Sequence, residues 1–88
     1  MAQAKPIFGY WNIRAGVRGN VNRYLLHYAG VDYTDKRYDV VNNAAEWGYG
    51  DKNSLGLDFP NLPYIIEGDL KITESKAVGH YICDKWAP

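Results

Sequence analysis

The sequence predicts one small α/β domain, classed as α+β by some schemes, with a four-stranded mixed sheet and helices on its faces. Its 88 residues are enough for a single domain. A hydrophobic content of 47%, with 15% aromatic residues, indicates a packed core. The predicted elements follow the order β-α-β and then β-β-α. We therefore treat residues 1–88 as one domain.

The first predicted strand covers residues 6–11, a short apolar and aromatic run whose leading proline is tolerated at a strand's first position. Residues 12–20 contain two glycines and no hydrophobic period, which predicts a loop. Across residues 21–28, apolar side chains fall at i, i+3, i+4 and i+7, the spacing that lines one face of a helix. Asn20 is the expected N-cap of this helix, and Gly30 its end.

Residues 33–40 alternate in part and predict a half-exposed strand at the edge of the sheet. Residues 42–63 are the least regular stretch, with three glycines and two prolines, and a long aromatic loop of this kind is usually functional. Residues 63–66 and 70–73 are β-prone and flank a short turn, which predicts an antiparallel hairpin. Ser75 is well placed to start a last helix.

Two strands joined by a helix imply a right-handed parallel unit, and the hairpin adds antiparallel partners. The predicted order is therefore the thioredoxin-like βαβ-ββα arrangement.

The charge balance excludes several classes of partner. Ten Lys and Arg residues match ten Asp and Glu residues, so nothing points to nucleic acid or to an anionic membrane surface. No apolar run is long enough to span a bilayer, and the first five residues are too short and polar for a signal peptide. We expect a cytoplasmic protein.

The single cysteine excludes an internal disulfide and a four-thiolate zinc site. His80 and Cys83 lie three residues apart on the last predicted helix, but two ligands do not make a metal site, so we expect no metal and a buried, structural thiol. Thiol-disulfide exchange is disfavoured because no cysteine precedes the first helix.

Two stretches resemble a known family. Residues 9–14 read GYWNIR and residues 55–64 read LGLDFPNLPY, which are similar to the signature stretches of the glutathione-binding, amino-terminal domain of mu-class glutathione transferases. Residues 71–75, KITES, and the pair Tyr81-Ile82 match that family's next landmarks in the same order. The resemblance covers roughly residues 6–86. It implies glutathione as substrate and attack of its thiolate on small hydrophobic electrophiles.

The chemistry needs a thiolate, whereas a free thiol with a pKa of about 8.5 is mostly protonated at neutral pH. The resemblance implies that Tyr10, the tyrosine of the Gly-Tyr-Trp stretch, donates its hydroxyl hydrogen to the glutathione sulfur. The alternative is a core tyrosine, since the chain contains eight tyrosines.

The other implied contacts follow the tripeptide. Asn61, Leu62 and Pro63 match a segment in which a cis-proline turns the backbone toward the cysteinyl unit. Ser75 offers its hydroxyl and a helix N-terminus to the γ-glutamyl carboxylate, although a plain N-cap is compatible with this. Glu74 stands where the mu class usually has glutamine and can meet the ligand's ammonium group.

Trp11, Trp47 and Lys52 match positions that line the glycyl and cysteinyl end, with Lys52 as the carboxylate partner. Three departures from the family pattern bear on this assignment. One residue is added between Trp47 and Lys52, and the loop between Arg14 and Arg23 is longer than in the family. The arginine that tends to precede the tryptophan is absent, so we expect weaker ligand affinity.

Phe59 matches the phenylalanine that inserts into the partner subunit's helical domain in mu enzymes. The implied partners are therefore glutathione and a second copy or a helical-domain partner reached through Phe59. The alternatives are a phenylalanine that folds back on its own surface and an ordinary loop aromatic.

Two functions stay open on the sequence alone. The first is a glutathione-binding domain of transferase type, with weak or no activity in isolation because the family's electrophile pocket comes largely from a helical domain that this sequence does not include. The second is a non-catalytic or engineered thioredoxin-fold module or scaffold subunit derived from a glutathione transferase, which the altered first loop and the missing arginine favour.

Overall fold

The computed structural model of the chain describes residues 5–12, 18–39 and 44–86. These ranges hold four strands, three α-helices and one π-helical segment. In chain order they are β1 (Ile7–Trp11), α1 (Arg18–Tyr28), β2 (Thr34–Tyr38), the π-helical segment (Glu46–Asp51), α2 (Lys52–Ser54), β3 (Tyr64–Glu67), β4 (Leu70–Thr73) and α3 (Ser75–Trp86). In this described part, no helix is both long enough and apolar enough to cross a membrane.

The four strands form one mixed sheet in the order β2-β1-β3-β4. Strand β1 runs parallel to β2, whereas β1 with β3 and β3 with β4 are antiparallel. The thioredoxin-like sheet and the hairpin predicted from sequence are therefore confirmed, and β2 lies at an edge as expected.

The side chains of β1 alternate between the two faces of the sheet. Phe8 pairs with Ile65 of β3, and both are fully buried on the face covered by α1 and α3. Gly9 pairs with Tyr64 on the opposite face, which receives the π-helical segment. The sheet therefore separates Tyr10, on the α1 side, from Trp11 on the other.

Helix α1 differs from the sequence prediction in both its start and its buried face. It begins at Arg18, so Asn20 lies inside the helix and does not cap it. Three of the four apolar residues expected to define its main face are open to solvent, with Val21 57%, Tyr24 58% and Tyr28 80% exposed, whereas Leu25 is half-buried against the core. The buried side chains of α1 are mostly polar, namely Asn20, Asn22, Arg23 and Leu26, and Gly19 is buried with them.

The hydrogen bonds of Arg23 explain this orientation. Its guanidinium donates to the carbonyl oxygens of Tyr10 and Trp11 and to the carboxylate of Asp35. It also lies 5.4 Å from the centre of the Phe8 ring. A buried cation with this many partners keeps its orientation because breaking the pair would leave buried polar groups unsatisfied. These contacts turn the polar stripe of α1 toward the sheet.

The stretch predicted as an irregular aromatic loop contains helical structure from residue 44 to residue 54. Gly48 and Gly50 lower the helix propensity of this stretch, which is why sequence reasoning assigned a loop. Trp47 is buried there against Tyr38 and Tyr64, so tertiary packing overrides the local preference.

Helix α3 begins at Ser75, as predicted, and buries Val78 and Ile82. The expectation of a buried thiol is wrong, because Cys83 is exposed and lines an open groove between α1 and α3. Near the end of α3, Lys85 and Tyr81 both donate hydrogen bonds to the Glu67 carboxylate of β3. This cluster fastens the helix to the hairpin.

Candidate functional site

Four aromatic rings form a cluster on the face of the sheet that carries the π-helical segment. The indole of Trp47 stacks on Tyr64, with ring centres 5.9 Å apart and planes at 23°. Tyr38 lies between the two tryptophans, 5.6 Å from Trp47 and 6.4 Å from Trp11. Trp11 and Trp47, both predicted to line the ligand site, are therefore brought together through Tyr38.

A short hydrogen-bond chain runs beneath these rings. The Tyr38 hydroxyl donates to Oδ2 of Asp51 over 2.7 Å, and the hydroxyl oxygens of Tyr38 and Tyr64 are also 2.7 Å apart. Burial, followed by the hydrogen bonds to Tyr64 and Asp51, raises the pKa of Tyr38 well above its ordinary value. Burial also raises the pKa of Tyr64. Both hydroxyls therefore stay protonated at neutral pH.

Gly9 makes the close approach of Tyr64 to β1 feasible. A Cβ atom at this position would lie 2.2 Å from the Tyr64 ring, far inside van der Waals contact. Sequence reasoning identified Gly9 only as part of the GYW stretch. Its pairing with Tyr64 gives it a structural purpose, since the ring must cross β1 to reach Tyr38.

The chain turns sharply before β3. The Leu62–Pro63 peptide bond is cis, as the resemblance implied. Oδ1 of Asn61 accepts a hydrogen bond from the Leu62 backbone N–H at 2.9 Å, and Nδ2 of Asn61 donates to the Glu74 carboxylate at 3.3 Å. Asn61 thereby connects the cis-proline turn to the end of β4, where a γ-glutamyl group is expected.

Glu74 has a φ of 76°, a left-handed conformation that is uncommon for a residue other than glycine. Its carbonyl oxygen accepts the first backbone hydrogen bond of α3, from the N–H of Val78 at 2.9 Å. Ser75 follows as the first residue of α3, and its carbonyl oxygen accepts a hydrogen bond from Asn22. This arrangement leaves the side chains of Glu74 and Ser75 beside the N-terminus of a twelve-residue helix.

Tyr10 is packed against α1 and is 8% exposed. A Cβ atom on Gly19 would lie 2.3 Å from its ring, and the Arg23 guanidinium lies 5.6 Å from the ring centre. The part of the first loop at residues 13–17, which includes Ile13 and Arg14 of the signature stretch, lies outside the described residues. The role of Tyr10 at the ligand sulfur stays a prediction.

Lys52 is exposed at the first position of α2. Its backbone N–H bonds to the carbonyl oxygens of Gly50 and Trp47, and the bond to Trp47 spans five residues. A π-turn contains one residue more than an α-turn, the same number that the resemblance counts as added between Trp47 and Lys52.

Phe59 is 78% exposed and lines an open depression with Lys71 and Glu74. The alternative in which Phe59 folds back onto its own surface is therefore wrong. Asn42 and Asn43, where the family's arginine is missing, are outside the ranges that the structure describes.

The residues that sequence reasoning missed are Tyr38, Tyr64 and Asp51. The sequence offers one signal for Tyr38, namely the alternation of side chains along the edge strand, which places Tyr38 on the same face as Lys36. Lys36 forms an ion pair with Glu46 at the start of the π-helical segment. Within ranges 5–12, 18–39 and 44–86, no group of three or more His, Cys, Asp or Glu side chains is arranged to hold a metal ion.

Comparison with known proteins identifies the fold and the family. The family described as "Glutathione S-transferase, N-terminal domain" matches residues 6–84. One nematode and one mammalian structure illustrate the fold. A "major nematode C.elegans specific GST" superposes on 93% of this chain with a TM-score of 0.74 and 24% identity. The structure of rat hPGDS complexed with a quinoline superposes on 92% of this chain with a TM-score of 0.71 and 25% identity. The chain covers 36% of each of those structures.

Curated relatives are more similar in sequence. A glutathione S-transferase of Dermatophagoides pteronyssinus is 45% identical over 87 residues, which cover 94% of this chain and 38% of the relative. A class-mu 26 kDa isozyme of Schistosoma mansoni is 48% identical over 80 residues, covering 91% and 39%. Glutathione S-transferase Mu 2 of Macaca fuscata fuscata is 46% identical over 81 residues, covering 88% and 36%. The chain thus spans less than two fifths of the length of these relatives.

Proposed function

The chain belongs to the glutathione S-transferase family through its N-terminal domain, and from that membership we propose that it binds glutathione and activates its thiol. The observation that carries the proposal is the joining of the cis Leu62–Pro63 turn to Glu74 through the Asn61 side chain. The hydrogen bonds of Asn61 place the extended backbone before β3 next to the Glu74 carboxylate and the N-terminus of α3. An extended peptide with an ammonium and a carboxylate at one end is complementary to that arrangement.

The γ-glutamyl end fits the start of α3. The Glu74 carboxylate pairs with the ligand's ammonium group, and the Ser75 hydroxyl and backbone N–H groups bind its α-carboxylate. The cysteinyl backbone pairs with Leu62. Because the Leu62 N–H already bonds to Asn61, the ligand either displaces that side chain or uses the Leu62 carbonyl oxygen.

The glycyl end is directed toward the aromatic cluster. Lys52 supplies the positive charge for the glycyl carboxylate, and Trp11 and Trp47 supply apolar contact area. A single exposed lysine contributes about 1 kcal/mol or less to such a pair. We therefore expect modest affinity for glutathione.

Tyr10 is assigned the chemical step. Its hydroxyl donates to the sulfur, the thiol proton is released to solvent, and the thiolate is held at neutral pH. The sulfur then forms a bond to an electrophilic carbon, and the leaving group departs with the bonding electrons. Small hydrophobic electrophiles are the substrate class, and detoxification in the cytoplasm is the corresponding role.

Assignment to the mu class rests on residues 9–14 and 55–64 together, and Phe59 is the proposed contact with a second copy or with a helical domain. An exposed phenylalanine of this size favours a partner that covers it.

The burial of Tyr10 favours a second candidate function. A ring that is 8% exposed and packed on α1 leaves little of its surface open to a ligand. A non-catalytic thioredoxin-fold module would keep Tyr10 as a core residue and would bind glutathione weakly or not at all.

One titration separates the two candidates. The chain is mixed with glutathione at neutral pH, and the thiolate is followed by ultraviolet difference absorbance. The transferase proposal expects a thiolate band that disappears in Tyr10→Phe and persists in Tyr49→Phe, a matched change at an exposed tyrosine. Binding without a thiolate band would remove the role of Tyr10. No binding at millimolar glutathione would favour the non-catalytic module.

A further inference from the structure

We propose that Tyr38 is a positioning residue. Through Asp51 and Trp47 it holds the π-helical segment against the sheet and so sets where Lys52 meets the ligand's glycyl carboxylate. The inference rests on the proposed function for its ligand, and on the contacts of Tyr38 for its mechanism.

The π-helical segment is not stable without tertiary contacts. It contains Gly48 and Gly50, each of which costs a helix about 1 kcal/mol relative to alanine. A helical stretch this short is marginal in water without tertiary contacts. Its flanking residues, Ala45 and Lys52, are themselves helical and extend the helical stretch only to residues 44–54. The segment must therefore be fixed from outside.

Contacts with the sheet supply that fixation at three points. At the start, Glu46 pairs with Lys36 of β2. Next to it, the Trp47 ring packs against Tyr38. At the end, the Asp51 carboxylate accepts the Tyr38 hydroxyl hydrogen at 2.7 Å. Tyr38 contacts both Trp47 and Asp51, so it joins the two ends of the segment.

The position of Lys52 follows from these anchors. Its backbone N–H bonds to the carbonyl oxygen of Trp47, and it directly follows Asp51 in the chain. A shift of either anchor therefore moves the Lys52 backbone. The ammonium group is exposed, so its direction toward a ligand depends on this backbone placement and on the side chain's own rotamers.

The hydroxyl of Tyr38, and not only its ring, is needed. Tyr38 is fully buried and its oxygen is shared between Asp51 and Tyr64. Replacing it by phenylalanine keeps the ring packing and leaves Asp51 and Tyr64 without a common partner. Buried hydrogen-bonding groups that lose their partner destabilise their surroundings. The loss should be local to the segment.

The first experiment measures the segment itself. Amide hydrogen exchange in the whole chain is compared for the parent, Tyr38→Phe and the matched control Tyr33→Phe, whose hydroxyl bonds to His27 instead. We expect exchange in residues 46–54 to be about tenfold faster in Tyr38→Phe, with α3 unchanged. Asp51→Asn, which keeps an acceptor oxygen, should stay closer to the parent than Asp51→Leu. Unchanged exchange in Tyr38→Phe would overturn the positioning role.

The second experiment connects the segment to the ligand through a double-mutant cycle. Glutathione affinity is measured by calorimetry for Tyr38→Phe, Lys52→Met and the double variant. Each single change should weaken binding by about fivefold, and the double change no further, because Tyr38 acts through Lys52. The dipeptide γ-glutamylcysteine, which lacks the glycyl carboxylate, should bind the parent and Tyr38→Phe alike.

The outcomes separate this inference from the proposed function. Fully additive losses in the cycle would overturn the connection to Lys52 while leaving glutathione binding in place. A parent that does not bind glutathione contradicts the proposed function and the affinity role together. Faster exchange in Tyr38→Phe would then still support the anchoring of the segment by Tyr38.

Discussion

Nε of Arg23 donates to Oδ1 of Asp35 over 3.0 Å, and this ion pair ties α1 to the edge strand β2. Arg23 is almost fully buried, and its remaining nitrogens bond to the carbonyl oxygens at the end of β1. One cation therefore connects three elements around Tyr10, whose ring lies beside it. The stability of the fold and the position of the proposed catalytic tyrosine depend on the same side chain.

Replacing Arg23 by methionine should lower the free energy of unfolding by about 3 kcal/mol, because a partly buried carboxylate and two carbonyl groups lose their donor. Urea unfolding measures the change. Lys5→Gln removes an exposed ion pair with Asp32 and should cost less than about 1 kcal/mol. Equal effects of the two variants on the free energy of unfolding would contradict the anchoring of α1 by Arg23.

Gly9→Ala should destabilise the protein by about 1–3 kcal/mol, because the new Cβ atom would meet the Tyr64 ring. The ring cannot move cheaply, since it stacks on Trp47 and bonds to Tyr38. Gly48→Ala is the matched control, with open space around its Cβ position, and should be neutral or slightly stabilising. Thermal unfolding of both variants tests the pair, and a harmless Gly9→Ala would show that the cluster repacks.

Elements that depend on neighbouring residues can be predicted from the sequence. The hairpin and the start of α3 were predicted correctly because Gly68 and Ser75 act through their own backbone and nearest neighbours. The orientation of α1 was not, because hydrophobic spacing cannot reveal a buried arginine whose partners lie twelve residues away on β1 and β2.

In the candidate site, too, features of a contiguous stretch are predictable, whereas contacts between distant residues are not. Leu62–Pro63 was identified from a contiguous stretch, and its cis bond is present. The chain from Asp51 through Tyr38 to Tyr64 joins residues that are 13 and 26 positions apart, so no local pattern marks it. The π-helical segment was missed for the same reason, since its glycines are offset by contacts with distant residues such as Lys36, Tyr38 and Tyr64.

Glu67 should make the free energy of unfolding depend on pH in the acid range. Although burial tends to raise the pKa of this carboxyl, hydrogen bonds from Lys85 and Tyr81 outweigh it and hold the pKa below its ordinary 4.5. A lowered folded-state pKa stabilises the protein above the unfolded value, and that stability is lost as the pH falls from about 4.5 through the folded value. Glu67→Gln should flatten this part of the pH profile of unfolding.

The control for that profile is Asp69→Asn, a change at an exposed carboxyl in the hairpin turn. Its profile should follow that of the parent. A parent profile that is flat between pH 5 and the acid limit would contradict the role of the Glu67 cluster.

Cys83 should react with a disulfide reagent in the native protein at nearly the rate seen after denaturation, because its side chain is exposed. Native labelling should reach one thiol per chain, and Cys83→Ser should change the free energy of unfolding by less than about 0.5 kcal/mol. Labelling that requires denaturant would restore the buried thiol expected from sequence.

An amide chemical-shift map of the chain titrated with glutathione would show whether the ligand binds at the cis-proline turn. We expect saturable shifts at Leu62, Glu74 and Ser75, with a second group around Lys52. Absence of shifts at millimolar glutathione, or shifts confined to the groove that Leu25 of α1 lines with Gly79 and Cys83 of α3, would contradict binding at the turn.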